Sequence, residues 1–144
     1  MSRTRVETRA RARALQALYA WDLRPGAKLE QVATQIWDDL AIDPEERKLA
    51  SALVRTFIAR RDTIDAALTD ITTNWRLERL GVIDRCVLRM GAAELERGET
   101  PAKVVIQEAV TIAERYSGVR SAKFVNGVLD ALARRMNRLG EDVV

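Results

Sequence analysis

The residues with the clearest capacity for chemistry are five arginines near the start of the chain. They are Arg3, Arg5, Arg9, Arg11 and Arg13, with Glu7 as the one acid among them. These thirteen residues therefore carry four net positive charges, whereas the whole chain of 24 basic and 21 acidic residues carries only +3. A basic charge this concentrated predicts a surface for a polyanion such as a nucleic acid. A frayed N-terminus that only aids solubility is the alternative.

The arginines fall on one side of a predicted first helix. On a helical wheel, Arg5, Arg9, Arg13 and Gln16 lie opposite the apolar face, with Tyr19 at the edge of the basic side. Like charges four residues apart repel one another, and a bound polyanion would relieve this repulsion. Acids from elsewhere in the fold would relieve it too.

Arg11 differs from its neighbours on this wheel. It points nearer the apolar side of the helix, so a structural ion pair explains it at least as well as contact with a ligand.

A second candidate lies at the start of the predicted last helix. Lys123 is opposite the apolar stripe of that helix, and Phe124 is about a quarter-turn from the centre of the stripe. An aromatic ring beside a cation can stack on a base while the cation meets a phosphate. The alternative is that Phe124 packs against a neighbouring helix.

Composition argues against most catalytic and membrane-bound classes. Histidine is absent and Cys86 is the single cysteine, so the usual zinc sites, imidazole catalysis and an internal disulfide are excluded. No glycine motif of the phosphate-cradling type occurs. We expect no enzymatic activity, no metal and no cofactor. Without an apolar run of roughly 20 residues or a secretory segment, a cytoplasmic protein is expected.

Capping residues, prolines and glycines divide the chain into six or seven helices with short connections, which predicts an all-α fold. The first three predicted segments run from Thr4 to the Pro25-Gly26 turn, from Lys28 to Leu40, and from Asp43-Pro44 towards Leu68. A break in the third segment at Asp62 or Thr63 is left open. The last three segments run from Trp75 to Gly98, from Thr100-Pro101 to Gly118, and from Ser121 to Gly140.

Two groups of residues are interpreted as structural. The first comprises Trp21, Trp37, Trp75 and Cys86, which are expected in the core or between subdomains. The second is a solvated, self-paired face of the central helix, formed by Asp84, Arg85, Arg89, Glu94 and Glu96.

Four blocks of sequence, in order along the chain, resemble the NusB family. They are RARARALQALY at 9–19, RLGVIDR at 79–85 followed by LRM at 88–90, PAKVVIQEAV at 101–110, and KFVNGVLD at 123–130. The last block matches the family pattern at every position, and the resemblance spans nearly the whole chain.

The resemblance implies a single all-α domain, residues 1–144, built from two helical subdomains at roughly 1–72 and 73–144. It implies a transcription antitermination factor that binds boxA-type single-stranded leader RNA. The implied partners are NusE, which is also a small-subunit ribosomal protein, and the RNA polymerase antitermination complex that supports ribosomal RNA transcription. The implied RNA-binding residues are Arg3, Arg5, Arg9, Arg11, Arg13, Gln16, Lys123 and Phe124.

Three positions depart from the family pattern. Gln107 stands where asparagine is usual, and Arg120 stands where relatives often carry an acid, while Glu7 interrupts the arginine run. Arg120 adds positive potential near Lys123, and Glu7 removes it at the first helix.

The alternative hypothesis for the function is a helical protein–protein scaffold or homodimer that uses its basic face to bind an acidic partner.

Overall fold

The computed structural model describes residues 2–72 and 77–139, with side chains described from Arg5 onward, and the regular secondary structure in these ranges is all helical. The predicted all-α fold is confirmed. Expectations for the side chains of Arg3 and Thr4, and for Trp75 and Gly140, lie outside the described residues. The helices are α1 Ser2–Asp22, α2 Leu29–Leu40, α3 Pro44–Ile71, α4 Val82–Arg97, α5 Ala102–Ser117 and α6 Val119–Arg135, with a 3₁₀ turn at Leu77–Arg79 before α4.

The start of the central helix was predicted wrongly. α4 begins at Val82, after Gly81 in an extended conformation (φ −56°, ψ 147°), and not near residue 75. The Arg85 guanidinium accounts for the difference, because its Nη1 donates a 2.9 Å hydrogen bond to the Leu80 carbonyl and longer ones to carbonyls of the 3₁₀ turn. A side chain that satisfies these carbonyls stabilises a turn in place of another helical turn.

The start of the last helix was also predicted wrongly. α6 begins at Val119 and not at Ser121, because Gly118 both ends α5 and precedes α6. Its backbone (φ 98°, ψ −179°) lies in a region that only glycine occupies readily. The two helices are therefore joined through one residue with a special conformation.

The long helix α3 bends without ending. It continues to Ile71, and its one non-helical residue is Arg60 (φ −116°, ψ 16°), so neither Asp62 nor Thr63 terminates it.

The central position of α4 is confirmed by its packing. It contacts α1, α3, α5 and α6, and every residue from Cys86 to Leu95 is buried. At Gly91, an added Cβ would lie 2.7 Å from Leu129 Cδ1, so α4 and α6 approach too closely for any larger residue to fit without movement.

One cluster of buried side chains includes members of all six helices. Trp37 is buried in it, as predicted, and Trp21 packs against it from the edge. The division into two subdomains near residue 72 stays a prediction. Within the described ranges, each helix is too short or too polar to cross a membrane.

Candidate nucleic-acid interface

Two of the predicted arginines share one carboxylate on the outer side of α1. Arg9 Nε donates to Glu46 Oε1 and Arg13 Nε donates to Glu46 Oε2, each at 2.8 Å. Glu46 lies in the first turn of α3, and its side chain is only 4 % exposed, whereas those of Arg9 and Arg13 are 47 % and 34 % exposed. An acid from another helix therefore relieves their repulsion, and one positive charge remains in excess.

The Glu46 carboxylate stays ionised in this setting. Burial on its own would raise its pKa, but hydrogen bonds from Arg13 and Arg9, together with their charges, outweigh burial and lower the pKa. The arrangement is thus a true ion cluster at neutral pH.

Arg11 is a correction to the predicted interface. Its side chain is 3 % exposed and binds Glu94 through two hydrogen bonds, from Nε at 2.8 Å and from Nη2 at 2.7 Å. Its Nη1 donates to Glu108 Oε1 at 2.8 Å. Burial opposes the charge of Arg11, but the hydrogen bond to Glu94 and the nearby carboxylates keep its pKa raised. Because the guanidinium is almost fully buried and bound to two carboxylates, Arg11 fits the structural ion pair given as its alternative in the sequence analysis better than contact with RNA.

The expectation of a solvated, self-paired face on the central helix was wrong. Arg89 and Glu94 are buried, and the partners of the helix arginines come from other helices. Arg89 binds Asp65 of α3 with two hydrogen bonds of 3.0 and 2.9 Å. Arg85 binds Asp22 of α1, and this hydrogen bond is the main cause of its raised pKa. A helical wheel does not reveal such partners because they lie far away in sequence.

Phe124 lines one edge of a groove between the starts of α4 and α6. The ring is half-buried and packs against the core, and the groove beside it has a volume of about 280 Å³. Asp84 and Arg120 also line this groove. Asp84 Oδ1 is buried and accepts no hydrogen bond from any described residue. Lys123, the neighbour of Phe124 in sequence, is exposed.

A second groove connects α1 to this region. It has a volume of about 360 Å³, and Arg13, Gln16 and Tyr19 of α1 line it together with Ile83 of α4 and Tyr116 of α5. Ile83 of the second groove and Asp84 of the first groove are consecutive residues, so both grooves reach the first turn of α4. The predicted residues Arg13 and Gln16 thus line one of these grooves, and Phe124 lines the other.

Sequence reasoning missed several residues that line these grooves. Tyr19 and Tyr116 are 39 % and 54 % exposed, so both rings are accessible at the groove that they line. Tyr19 stands at the edge of the basic side on the helical wheel, so its position carried a signal. Tyr116 had no such signal, and Asp84 was placed with a solvated charged face.

The side chains on this surface suit binding to a polyanion. Arg5, Arg9 and Gln16 are exposed on α1, and guanidinium groups can donate several hydrogen bonds to phosphate oxygens. Exposed aromatic rings offer faces for stacking with bases. Among the described residues, no cluster of acidic or cysteine side chains could hold a metal ion.

Comparisons with known proteins show the family to which this chain is similar. The family model described as the NusB family matches residues 8–134. A transcription antitermination protein NusB from Anaeromyxobacter dehalogenans is 42 % identical over 133 residues, covering 90 % of this chain and 92 % of the relative. A solved structure of T. maritima NusB matches with a TM-score of 0.82 and 35 % identity over 89 % of this chain and 90 % of that one. A chain from the crystal structure of the antitermination factors NusB and NusE in complex with dsRNA matches with a TM-score of 0.83 and 29 % identity over 91 % and 98 % of the two chains.

Proposed function

Because this chain belongs to the NusB family, we propose that it is a transcription antitermination factor that binds boxA-type single-stranded leader RNA together with NusE. It acts with the RNA polymerase antitermination complex and supports ribosomal RNA transcription. The observation that carries the proposal is the basic side of α1, where Arg5 and Arg9 are exposed and Arg13 lines a groove edged by Tyr19 and Tyr116. Phe124 edges a second groove at the first turn of α4.

The roles of individual side chains follow from their positions. Arg5, Arg9 and Arg13 hold phosphates, because all three are positively charged on one side of α1, where Arg5 and Arg9 are exposed and Arg13 is partly exposed. Lys123 contributes a further charge, and the Phe124 ring stacks on an unpaired base. Phosphate contacts position the RNA strand, while contacts with base faces and edges in the grooves give the surface its preference for sequence.

This activity is binding without chemical turnover, which agrees with a sequence that lacks histidine. A factor of this type works where transcription occurs, so the site of action in a bacterium is the cytoplasm. The structure of the related NusB and NusE in complex with dsRNA supports both the RNA and the protein partner.

A binding experiment tests the proposal. The purified protein is titrated with a boxA-type RNA, a scrambled RNA of equal composition and a duplex of the boxA-type sequence, with and without NusE, over a range of salt concentrations. We expect the single-stranded boxA-type RNA to bind most tightly, NusE to increase its affinity, and log K to fall linearly with log salt. Equal affinity for all three RNAs at every salt concentration would contradict a sequence-specific RNA-binding function.

A further inference from the structure

We propose that Glu46 is a positioning residue for RNA binding, which holds the guanidinium groups of Arg9 and Arg13 so that both face the RNA. This role rests on the RNA binding proposed above. Glu46 is on a different helix from the arginines, and it lies outside every block of sequence that resembles the NusB family.

The hydrogen bonds to Glu46 leave the terminal nitrogens of both arginines available. Each arginine meets Glu46 through Nε, at 2.8 Å, and not through its terminal nitrogens. The four Nη atoms therefore remain for other partners, and Arg13 Nη1 lies 3.4 Å from Gln16 Oε1 at the groove. A guanidinium held at its inner edge can still bind a phosphate with its outer nitrogens.

The spacing of the two arginines fits a pair of phosphate contacts. Arg9 and Arg13 are one helical turn apart, so their backbone positions are separated by about 6 Å along α1. Glu46 is fixed by its burial at the first turn of α3, where α3 packs on α1. Two flexible side chains thereby have their positions set by one rigid carboxylate before RNA arrives, which lowers the loss of side-chain freedom on binding.

Charge alone predicts the opposite effect. A carboxylate beside two phosphate-binding arginines repels RNA, so removing its charge should strengthen binding if only electrostatics mattered. If positioning dominates, the same change should weaken binding although the protein becomes more positive. The sign of the change in affinity therefore decides between the two explanations.

Glu46→Gln is the decisive variant, with Glu45→Gln as its matched control. Glutamine has almost the shape of glutamate but offers a single oxygen as acceptor, so it can hold one of the two arginines. Glu45 is the exposed neighbour of Glu46 in the first turn of α3, and its replacement makes the same change in net charge. Affinity for a boxA-type RNA oligonucleotide is measured at several salt concentrations, with thermal melting of each variant as the check on folding.

We expect Glu46→Gln to lower affinity at 0.15 M salt by about four-fold if one phosphate contact is lost and about fifteen-fold if both are lost. The slope of log K against log salt should become shallower by about 0.7 per lost contact. Glu45→Gln should leave affinity unchanged or slightly higher. Unchanged or tighter binding by Glu46→Gln, or an equal loss in Glu45→Gln, would overturn the proposal.

A second set of variants keeps Glu46 and all net charges. In the double variant Arg9→Lys with Arg13→Lys, each side chain carries its charge on one ammonium nitrogen. It therefore cannot bind Glu46 through one edge and a phosphate through another edge, as a guanidinium can. We expect a loss of affinity larger than that of Arg5→Lys, since Arg5 has no contact with Glu46. Equal small losses in both would overturn the positioning role. If the wild-type protein itself does not bind the RNA, it is the proposed function that fails.

Discussion

Two clusters of arginine and carboxylate side chains include residues of α1, but they differ in the positive charge that they leave available to a ligand. The outer cluster comprises Arg9 and Arg13 with Glu46. The ion pairs called the inner cluster form two groups, which are Arg11 with Glu94 and Glu108, and Arg61, Arg85 and Arg89 with Asp22 and Asp65. Carboxylates and guanidiniums are equal in number in the inner cluster, whereas guanidiniums outnumber carboxylates in the outer one. The number of arginines in a stretch of sequence therefore does not give the positive charge available to a ligand, because the supply of nearby carboxylates decides it.

Disrupting the inner cluster by mutation should have the largest effect, and the effect should be on folding stability. Arg11→Ala leaves the buried Glu94 carboxylate without its bidentate partner, and removing one member of a buried ion pair costs about 3–5 kcal/mol of folding stability. We expect a loss of this size in urea denaturation, while the fraction that remains folded binds RNA normally. Arg5→Ala, at an exposed position of the same helix, serves as the control for folding stability. A loss of RNA affinity without a loss of stability would return Arg11 to the binding surface.

Most of the fold could be predicted from local sequence signals, but the inner cluster could not. Prolines and glycines indicate helix boundaries because their backbone restrictions act locally. The wheel of α1 also separated Arg11 from Arg9 and Arg13, since it needs only the helical period. The partners of Arg89, however, lie on α1 and α3, so a wheel of α4 predicted solvent where the structure has Asp65 and the Trp21 ring.

The candidate surface shows the same limit. Helical spacing within α1 predicted Arg13 and Gln16, and helical spacing within α6 predicted Phe124, but the grooves that they line arise from the packing of α4 against α1, α5 and α6. Local sequence explains Glu46 only as an acid in the first turn of a helix, where it is favourable to the helix dipole. Its contact with two arginines depends on the position of α3 against α1, which no local pattern contains.

Phe124→Ala should have the next largest effect, on RNA binding more than on folding. A stacked base contributes about 1–3 kcal/mol, so we expect roughly a ten- to hundred-fold loss of affinity. Because the ring is only partly buried, the loss of folding stability should stay below the roughly 3–5 kcal/mol of a core phenylalanine. RNA titration and denaturation of the same variant separate the two, with Val119→Ala, an exposed position of α6, as the control. Core-sized destabilisation with normal affinity would identify Phe124 as a packing residue.

A smaller effect is expected at the outer cluster. Arg13→Gln should reduce affinity by about four-fold at 0.15 M salt and make the salt dependence shallower by about 0.7, as expected for one phosphate contact on a single strand. Arg24→Gln makes the same change in net charge at an exposed position in the loop after α1, and it should leave the slope unchanged. Equal shifts in both variants would mean that net charge alone governs binding.

The smallest effect concerns Cys86, which reports on the inner cluster. Burial, reinforced by the charge of Asp22, raises the pKa of Cys86 to about 12, against the opposing charges of Arg89 and Arg85. Because the pKa is higher in the folded state than the ordinary value of 9.0, this contribution to stability is complete below pH 9 and is lost as the pH rises towards 12. The loss at pH 9 itself should be about 0.4 kcal/mol.

The free energy of unfolding of the wild-type protein and of Cys86→Ala is measured by denaturation at pH 7 and pH 9. The wild-type protein should lose more stability than Cys86→Ala between these two pH values. Native Cys86 should also react slowly with alkylating reagents at pH 8, because its thiol is buried and protonated. Rapid alkylation of the folded protein would show that the inner cluster opens to solvent.

The junction at Gly118 has a practical consequence for protein engineering. Because one residue both ends α5 and precedes α6, this connection has no spare length to absorb inserted residues. A tag or fluorophore-bearing loop placed there would displace the start of α6 and with it the edge of the groove. The exposed Pro25–Gly26 turn between α1 and α2 has open space around Gly26 and is the better site for a label that must leave the surface undisturbed.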